Sequence, residues 1–467
     1  MKEKTGVLSL KEKIGFSLGD TASNLFFQTF IFFLLYFYTD VFGIPASSAA
    51  TIFLIGRIWD AVNDPMMGAI ADRTNTKMGK FRPYLLYTAL PFGIFGFIMF
   101  ITPNLSVQGK VIYAFITYNL MMMTYTVINV PYSALMGVIS PHSEERTVVS
   151  TFRFVAAFVG QFIVQFAVLR LVSVFGKGNE QIGWQWTMAV MAGLSVVLWL
   201  VTFATTKERV KPVKGQKNPL KQDLADLLRN VPWILIGSAT IFQLLFNVIR
   251  GGSIMYYFKY FVQDQQLFLF GKPHSYSYQT LTSTFMLTGT LVTIGGSLLT
   301  SFFSKRIGKS RSYWGFLGIS AICSALFFFL KPQDVVWMFL LQIIASFCMG
   351  PVSVLQWAIY TDTADYSEWR TGRRATALIM AVSLFALKLG IALGGSILAW
   401  ILDFYGFEAN VAQTARSLTG IRMVMSVYPA IAGMIGVILM TFYPLNNKMM
   451  LKIEEDLSAR RQGIATE

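Results

Sequence analysis

Arg57-Ile-Trp-Asp-Ala-Val-Asn-Asp-Pro-Met-Met-Gly68 lies inside a segment, Ala46 to Ile70, that is otherwise apolar and about long enough to cross a bilayer. A lone ionised side chain at bilayer depth costs roughly 2.5–3.5 kcal/mol even on the mild insertion scale. This segment carries Asp60 and Asp64, with Arg57 one turn before the first. The spacing i, i+3, i+7 puts all three on one helix face. Such a face has to look into a bundle interior or a wet cavity, which marks it as functional. An Arg57–Asp60 ion pair is the plain structural alternative, and it leaves one aspartate over.

The rest of the composition agrees. Of 467 residues, 54% are hydrophobic and only 13% charged, against about 25% charged in a soluble domain. The reading is an all-α membrane protein. Two cysteines, Cys323 and Cys348, sit in apolar runs, and the two histidines, His142 and His274, fall in expected loops, so no metal or disulfide pattern emerges. The first apolar run, after Lys2, Lys4, Lys11 and Lys13, is too long for a cleavable signal.

Apolar runs fall near 14–38, 46–70, 83–103, 110–137, 149–173, 184–204, 232–261, 279–303, 312–330, 335–360, 375–402 and 420–443, which predicts twelve spans. Alternate connectors are basic: the N-terminal tail, Asp72 to Arg82, Lys207 to Arg229, Ser304 to Arg311, Arg370 to Arg374 and the tail from Lys448 to Arg461. This bias predicts that both termini are cytoplasmic. It also accounts for the net charge of +15 without nucleic acid, for which no base-stacking motif is present. The long connector divides the chain into a six-helix bundle at 1–206, a middle loop at 207–231 with a short amphipathic helix around Gln222–Leu228, a second bundle at 232–445, and a tail at 446–467. Gly79-Lys-Phe-Arg-Pro-Tyr84 and Gly308-Lys-Ser-Arg-Ser-Tyr313 share the pattern G-K-x-R-x-Y at an offset close to half the chain. They follow equivalent spans, as expected of two pseudo-symmetric bundles of the major-facilitator plan.

Polar residues inside the spans supply candidates for chemistry. Asp20 and Asn24 share a face of the first span, with Gln28 one turn on. The fourth has Tyr125, Thr126 and Asn129 ahead of Pro131, which is expected to kink the helix. Arg153 lies in the fifth, Asn247 and Arg250 in the seventh, Gln356 and Trp357 in the tenth, and Lys388 in the eleventh. A buried Lys388 needs a carboxylate partner or a lowered pKa. Asn129 is equally suited to bridging two helices. Asp362 and Asp365 are placed to pair with loop arginines between the halves. The carboxylates offer hard oxygen ligands for Na⁺ or a proton. Asn24, Asn129, Arg153, Gln356 and Trp357 offer the amide, guanidinium and ring groups that bind a sugar.

Four ordered motifs, R-x-x-D-A-x-x-D-P-x-x-G, D-R-x-x-x-x-x-G-K-F-R-P, Y-T-x-x-N-x-P-Y and D-T-x-D-Y-x-E-W, resemble those of the glycoside–pentoside–hexuronide:cation symporters. The resemblance runs from about Lys11 to Lys388. It implies a secondary transporter importing a glycoside with Na⁺ or H⁺ by alternating access. By position, it implies a cation site of Asp60, Asn63, Asp64 and Thr126, and a sugar site of Asn24, Tyr125, Asn129, Arg153, Gln356, Trp357 and Lys388. Asp20, Arg57, Asp72, Arg73, Asp362, Asp365 and Arg370 fall to a gating charge network. The melibiose-transporting branch carries aspartates where this chain has Asn24 and Asn129. That departure leaves Arg153 and Lys388 less compensated and makes a hexuronide conceivable, while the overall pattern leans towards pentosides and xylosides, with a galactoside the remaining possibility.

The implied partners are a small glycoside, a coupling cation and the lipid bilayer of the inner (plasma) membrane. No cofactor is implied, and a monomer is expected. A lysolipid carrier on the same fold is the rival reading, opposed by the polar spans. An enzyme lacks any nucleophile–base pair or metal spacing.

Overall fold

A computed structural model of the chain describes residues 8–140, 143–209, 229–269, 272–371 and 376–464. A helix occupies each of the twelve apolar runs. In the first half these are α1 (Leu10–Thr29), α2 (Ala46–Arg73), α3 (Arg82–Ile98), α4 (Val107–Val138), α5 (Ser143–Gly176) and α6 (Glu180–Thr205). The second half has α7 (Val231–Tyr256), a hairpin of β1 (Gln265–Leu269) and β2 (Lys272–Tyr276), α8 (Tyr278–Leu298) and the short α9 (Thr300–Ile307). It continues with α10 (Lys309–Leu326), α11 (Val335–Thr371), α12 (Thr376–Phe404), α13 (Ala415–Met425) with α14 (Val427–Thr441), and the tail helix α15 (Asn447–Ile464). Among the described residues, nine helical stretches are long and apolar enough to cross a membrane. α3, at 17 residues, is too short to count, and α1 gives way to π-helical turns at Phe30–Leu34 and Phe37–Phe42.

The starts of the helices follow local chemistry. Ser9, Ser106, Asn179, Asn230, Ser277 and Thr414 each accept a backbone N–H from the first turn that follows, each worth about 1 kcal/mol. α4 runs on through Pro131 as one helix, so the proline does not end it.

The chain divides into two compact units, Met1–Gly215 with Glu408–Val411, and Gln216–Phe407 with Ala412–Glu467. The division falls within the 207–231 connector. Each unit packs by the same scheme. In the first, α1 lies on α5 and α6, α3 on α4 and α6, and α2 on α4. In the second, α7 lies on α12 and α14, α10 on α11 and α14, and α8 on α11. The repeat hinted at by six residues of sequence is thus carried by the whole set of helix contacts. The tightest approaches need glycine: a Cβ at Gly160 would lie 2.9 Å from the Thr21 carbonyl where α5 crosses α1.

Both cysteines are buried and unpaired, in keeping with packing roles. The β-hairpin places His274 opposite Leu267 in the connector between α7 and α8. The amphipathic helix expected around Gln222–Leu228 lies outside the described residues.

Where the connector was expected to be solvated, its first residues are built into the first unit. The Glu208 carboxylate accepts the backbone N–H groups of Lys80, Phe81 and Arg82 at 2.8, 2.7 and 3.0 Å, capping α3. Gly79, at φ +116°, leaves room for that carboxylate, whose Oε1 would lie 2.6 Å from a Cβ there. Arg209 grips Glu12 at 2.6 and 2.8 Å and donates to the Val138 carbonyl, tying α1, α4 and the end of α6 together. The hydrogen bonds that Arg209 donates to Glu12 hold its pKa above the ordinary value. Glu208→Ala is expected to destabilise the unit by about 1–2 kcal/mol, as for loss of a charged cap. Thermal unfolding in detergent reads this, and an unchanged midpoint would show that the carboxylate does not hold the α3 start.

Candidate functional site

Helix α4 carries the polar contacts of the first unit at Thr126, Asn129 and Tyr132, one turn apart and rotating slowly around the helix. Thr126 donates to the Asp64 carboxylate at 2.9 Å, joining α4 to α2. The Ser23 hydroxyl of α1 donates to Asn129 at 2.7 Å, and the Asn129 amide donates back to the Tyr125 carbonyl at 3.0 Å. The Tyr132 hydroxyl lies 2.6 Å from the Asp20 carboxylate and 2.8 Å from the Phe16 carbonyl. α4 therefore spans from the aspartate of α2 to that of α1.

Asp20 is the anion that this arrangement closes on. Arg153 of α5 binds it through both edges, at 2.7 and 3.0 Å. The guanidinium also lies 4.7 Å from the Tyr132 ring centre and 5.6 Å from that of Phe16, a favourable cation–π placement. This corrects one expectation: Arg153 is compensated, by Asp20, because four residues on α1 separate the carboxylate from the neutral Asn24. Asn24 spends its amide on the Asp20 carbonyl at 2.8 Å and receives Gln28 at 3.0 Å. Tyr125 stacks on Phe27 and contacts Phe92, with ring centres 6.3 and 6.0 Å apart.

At the expected cation position, Asn63 keeps a buried amide nitrogen without a hydrogen-bond partner among the described residues. Leaving a buried donor unsatisfied costs about 1–3 kcal/mol, and such groups persist at functional sites. The side chains of Arg57, Asp60, Asp72 and Arg73 lie outside the described set; their backbone belongs to α2. Among the described residues no cluster of three His, Cys, Asp or Glu could hold a metal.

The second unit places its candidates differently. Gln356 is buried, and the Trp357 ring meets Tyr360 edge-on at 6.0 Å. Lys388 is exposed, against the expectation of burial. α12 packs on α7 through Gly390, whose Cβ would lie 2.8 Å from that of Leu244, and a residue two positions earlier points to the opposite side. Asp362 was expected to meet loop arginines across the halves. Its carboxylate accepts from Lys309 of its own unit at 2.7 and 2.9 Å. Asp365 is half-buried on the same helix. Arg370 donates to the Arg229 carbonyl at 3.4 Å, beside a cavity of about 160 Å³.

Two features escaped the sequence reading. Tyr132 was visible in a motif but had no role, because nothing in sequence links it to Asp20. Arg250 is 8% exposed and is held by the Gln342 amide oxygen at 2.7 Å, with the Phe327 ring 5.1 Å away. Its only sequence signal was a cation in an apolar span.

Two units packed by one scheme, with paired charges inside their helices, define a membrane transporter of the major-facilitator type rather than an enzyme. The chain belongs to the MFS/sugar transport protein family, whose model matches residues 15–447, and within it to the glycoside–pentoside–hexuronide:cation symporters. It is 35% identical to the inner membrane symporter YicJ of Escherichia coli, covering 97% of this chain and 96% of that protein. It is 33% identical to the isoprimeverose transporter of Lactiplantibacillus pentosus (95% and 91% covered). A glucuronide carrier protein homolog of E. coli is 30% identical, with 97% of each covered. Among solved structures, a bacterial homolog of the human lysosomal transporter Spinster superposes with a TM-score of 0.66 at 13% identity, over 95% of this chain and 97% of that one. The nucleoside transporter NupG gives 0.61 at 13%, over 93% and 100%.

The Asp20–Arg153 pair gives a direct test. Asp20→Asn should lower stability by about 3–5 kcal/mol, because it leaves a guanidinium unpaired inside the helices. Adding Arg153→Gln should recover a large part of that loss. Detergent unfolding of the single and double variants measures both, and strictly additive losses would show that the two residues act independently.

Proposed function

We propose that this protein imports a glycoside, with pentosides and xylosides favoured, by symport with Na⁺ or H⁺. The observation that carries the reading is on α4: Thr126 touches the Asp64 carboxylate, and Asn129 stands one turn away. A cation captured at Asp64, with Asp60 one turn before it in sequence, draws on the Thr126 hydroxyl. The same helix then transmits any shift to Asn129 and, through Ser23, to α1, where Asn24 sits. Sugar and cation sites sharing one rigid element is a physical route to coupling, and coupling is reciprocal: the ion must raise sugar affinity by the factor by which the sugar raises ion affinity.

The substrate class draws on two supports. One relative is an isoprimeverose transporter, isoprimeverose being a xyloside. The neutralisation of Arg153 by Asp20 removes one of the two cations that would have favoured a hexuronide. In the second unit Lys388, Gln356 and Trp357 are assigned to sugar contact, and Asp362, Asp365, Arg370, Arg57, Asp72 and Arg73 are assigned to the charges that break and re-form between outward- and inward-open states. The protein acts as a monomer in the inner (plasma) membrane with both termini cytoplasmic.

Counterflow of xylosides, galactosides and glucuronides, each with Na⁺, with Li⁺ and at low pH, tests substrate and ion together. The expected result is xyloside exchange stimulated by one of these ions. Equal sugar affinity in every ionic condition would reject symport. Asp64→Asn should abolish accumulation against a gradient while sparing exchange. Thr126→Ala removes one hydrogen bond to the carboxylate and should weaken ion affinity by about tenfold, or about 1.4 kcal/mol. Isothermal titration with the ion gives that number.

A further inference from the structure

The two copies of G-K-x-R-x-Y sit in different surroundings. In the first unit the turn Gly79–Arg82 opens α3, and its amides are taken by the carboxylate of Glu208, three residues past the end of α6. In the second unit the turn Gly308–Arg311 opens α10, an 18-residue helix, and among the described residues no side chain accepts from the amides of Lys309, Ser310 and Arg311. Three residues past the end of α14, where the first unit has its glutamate, stands Pro444. In place of the carboxylate there is a cleft of about 590 Å³ lined by Gly308, Lys309, Ser310, Arg311, Tyr443 and Lys448, among others.

The chemistry of this cleft is cationic and incomplete. Lys309 is neutralised by Asp362, whereas Arg311 and Lys448 have no ion-pair partner among the described residues. Tyr443 is 9% exposed, and its hydroxyl, on a residue that lines the cleft, has no hydrogen-bond partner among the described residues. Burial, reinforced by Asp362, pushes the Tyr443 pKa up, so the phenol stays a donor. Lys305 and Arg306 end α9 just before the turn and add to the positive field. Beside these polar groups the surface is greasy: Ile307 is 50% and Phe442 72% exposed. Trp314, also on the cleft, is of the residue type enriched at membrane boundaries.

We propose that the cleft between the α10 start and the end of α14 binds the phosphate headgroup of an anionic phospholipid, which takes in the second unit the place that Glu208 takes in the first. The phosphate accepts from the uncapped turn and from Tyr443 and is balanced by Arg311 and Lys448. The acyl chains lie along Phe442 and Ile307. Basic pockets between helices near the membrane surface bind such headgroups, and an anion at a helix start is favoured by the backbone dipoles. The apolar flank selects a lipid over free phosphate.

Native mass spectrometry of the full-length protein, with phosphatidylglycerol or phosphatidylcholine added in detergent, tests the site. Phosphatidylglycerol adducts should survive activation that strips phosphatidylcholine. Arg311→Gln with Lys448→Gln should reduce them by about fivefold for each cation removed. Pro444→Glu, which supplies a carboxylate where Glu208 has one, should displace the lipid while leaving thermal unfolding intact. Lys331→Gln, remote in sequence from the cleft, should change nothing. Equal retention of the two lipids would overturn the proposal, as would adducts unaffected by both cleft substitutions. Displacement of the adduct by inorganic phosphate at matched concentration would overturn the choice of a lipid. Should a cleft substitution prevent folding, the lipid preference of the parent protein and its resistance to phosphate still decide.

Discussion

A charge placed among membrane-spanning helices has to be balanced within the protein, because neither lipid nor neighbouring apolar side chains can do it. In the first unit that requirement is met by Asp20 and Arg153, with the Tyr132 hydroxyl on the same carboxylate. Three helices are fastened by one anion, and their rotation about their own axes is fixed with it. The rest of the polar geometry inherits that orientation. Once α4 presents Tyr132 to α1, Asn129 meets Ser23, and Thr126 is turned to Asp64. Satisfying one carboxylate thus also fixes how α4 meets a second, Asp64.

The scaffold is duplicated, while the chemistry is not. Both units pack their six helical segments in the same order of contacts. Yet the first concentrates acidic residues and amides along α1, α2 and α4, whereas the second holds a cation, Arg250, against an amide and aromatic rings. The second copy of the basic turn has also lost the carboxylate that caps the first. One packing scheme therefore carries unequal contents in its two copies.

Much of this was legible in the residues. The twelve runs, the six-and-six division and the repeated turn follow from hydropathy and spacing, which act locally and leave their mark locally. The pairing of Asp64 with Thr126 was foreshadowed by the family resemblance, which put both in one site. What sequence could not show was partnership across long separations. Asp20 and Arg153 lie 133 positions apart, and only the packing of α5 on α1 brings them together. Asp362 likewise found Lys309 of its own unit, since α10 packs on α11. Lys388 looked buried because its span is apolar, but burial is a property of a face, and Gly390 claims the face that meets α7. Glu208 and Arg209 read as the start of a solvated linker because capping a distant helix leaves no local signature.

The π-helical turns have a counterpart. Phe37–Phe42 at the end of the first span and Tyr257–Val262 at the end of the seventh occupy equivalent places, and each stops at a residue with positive φ, Gly43 and Gln263. A π turn is one residue too many for its length of helix, so the carbonyls there are loosely shared among amides. Exchanging partners across such a turn winds or unwinds the helix end by the angle of a single residue, about 100°, without breaking the rod. Each half ends its leading helix in the same way, on a π turn closed by a positive-φ residue, so the chain leaves the rod at matching places in both.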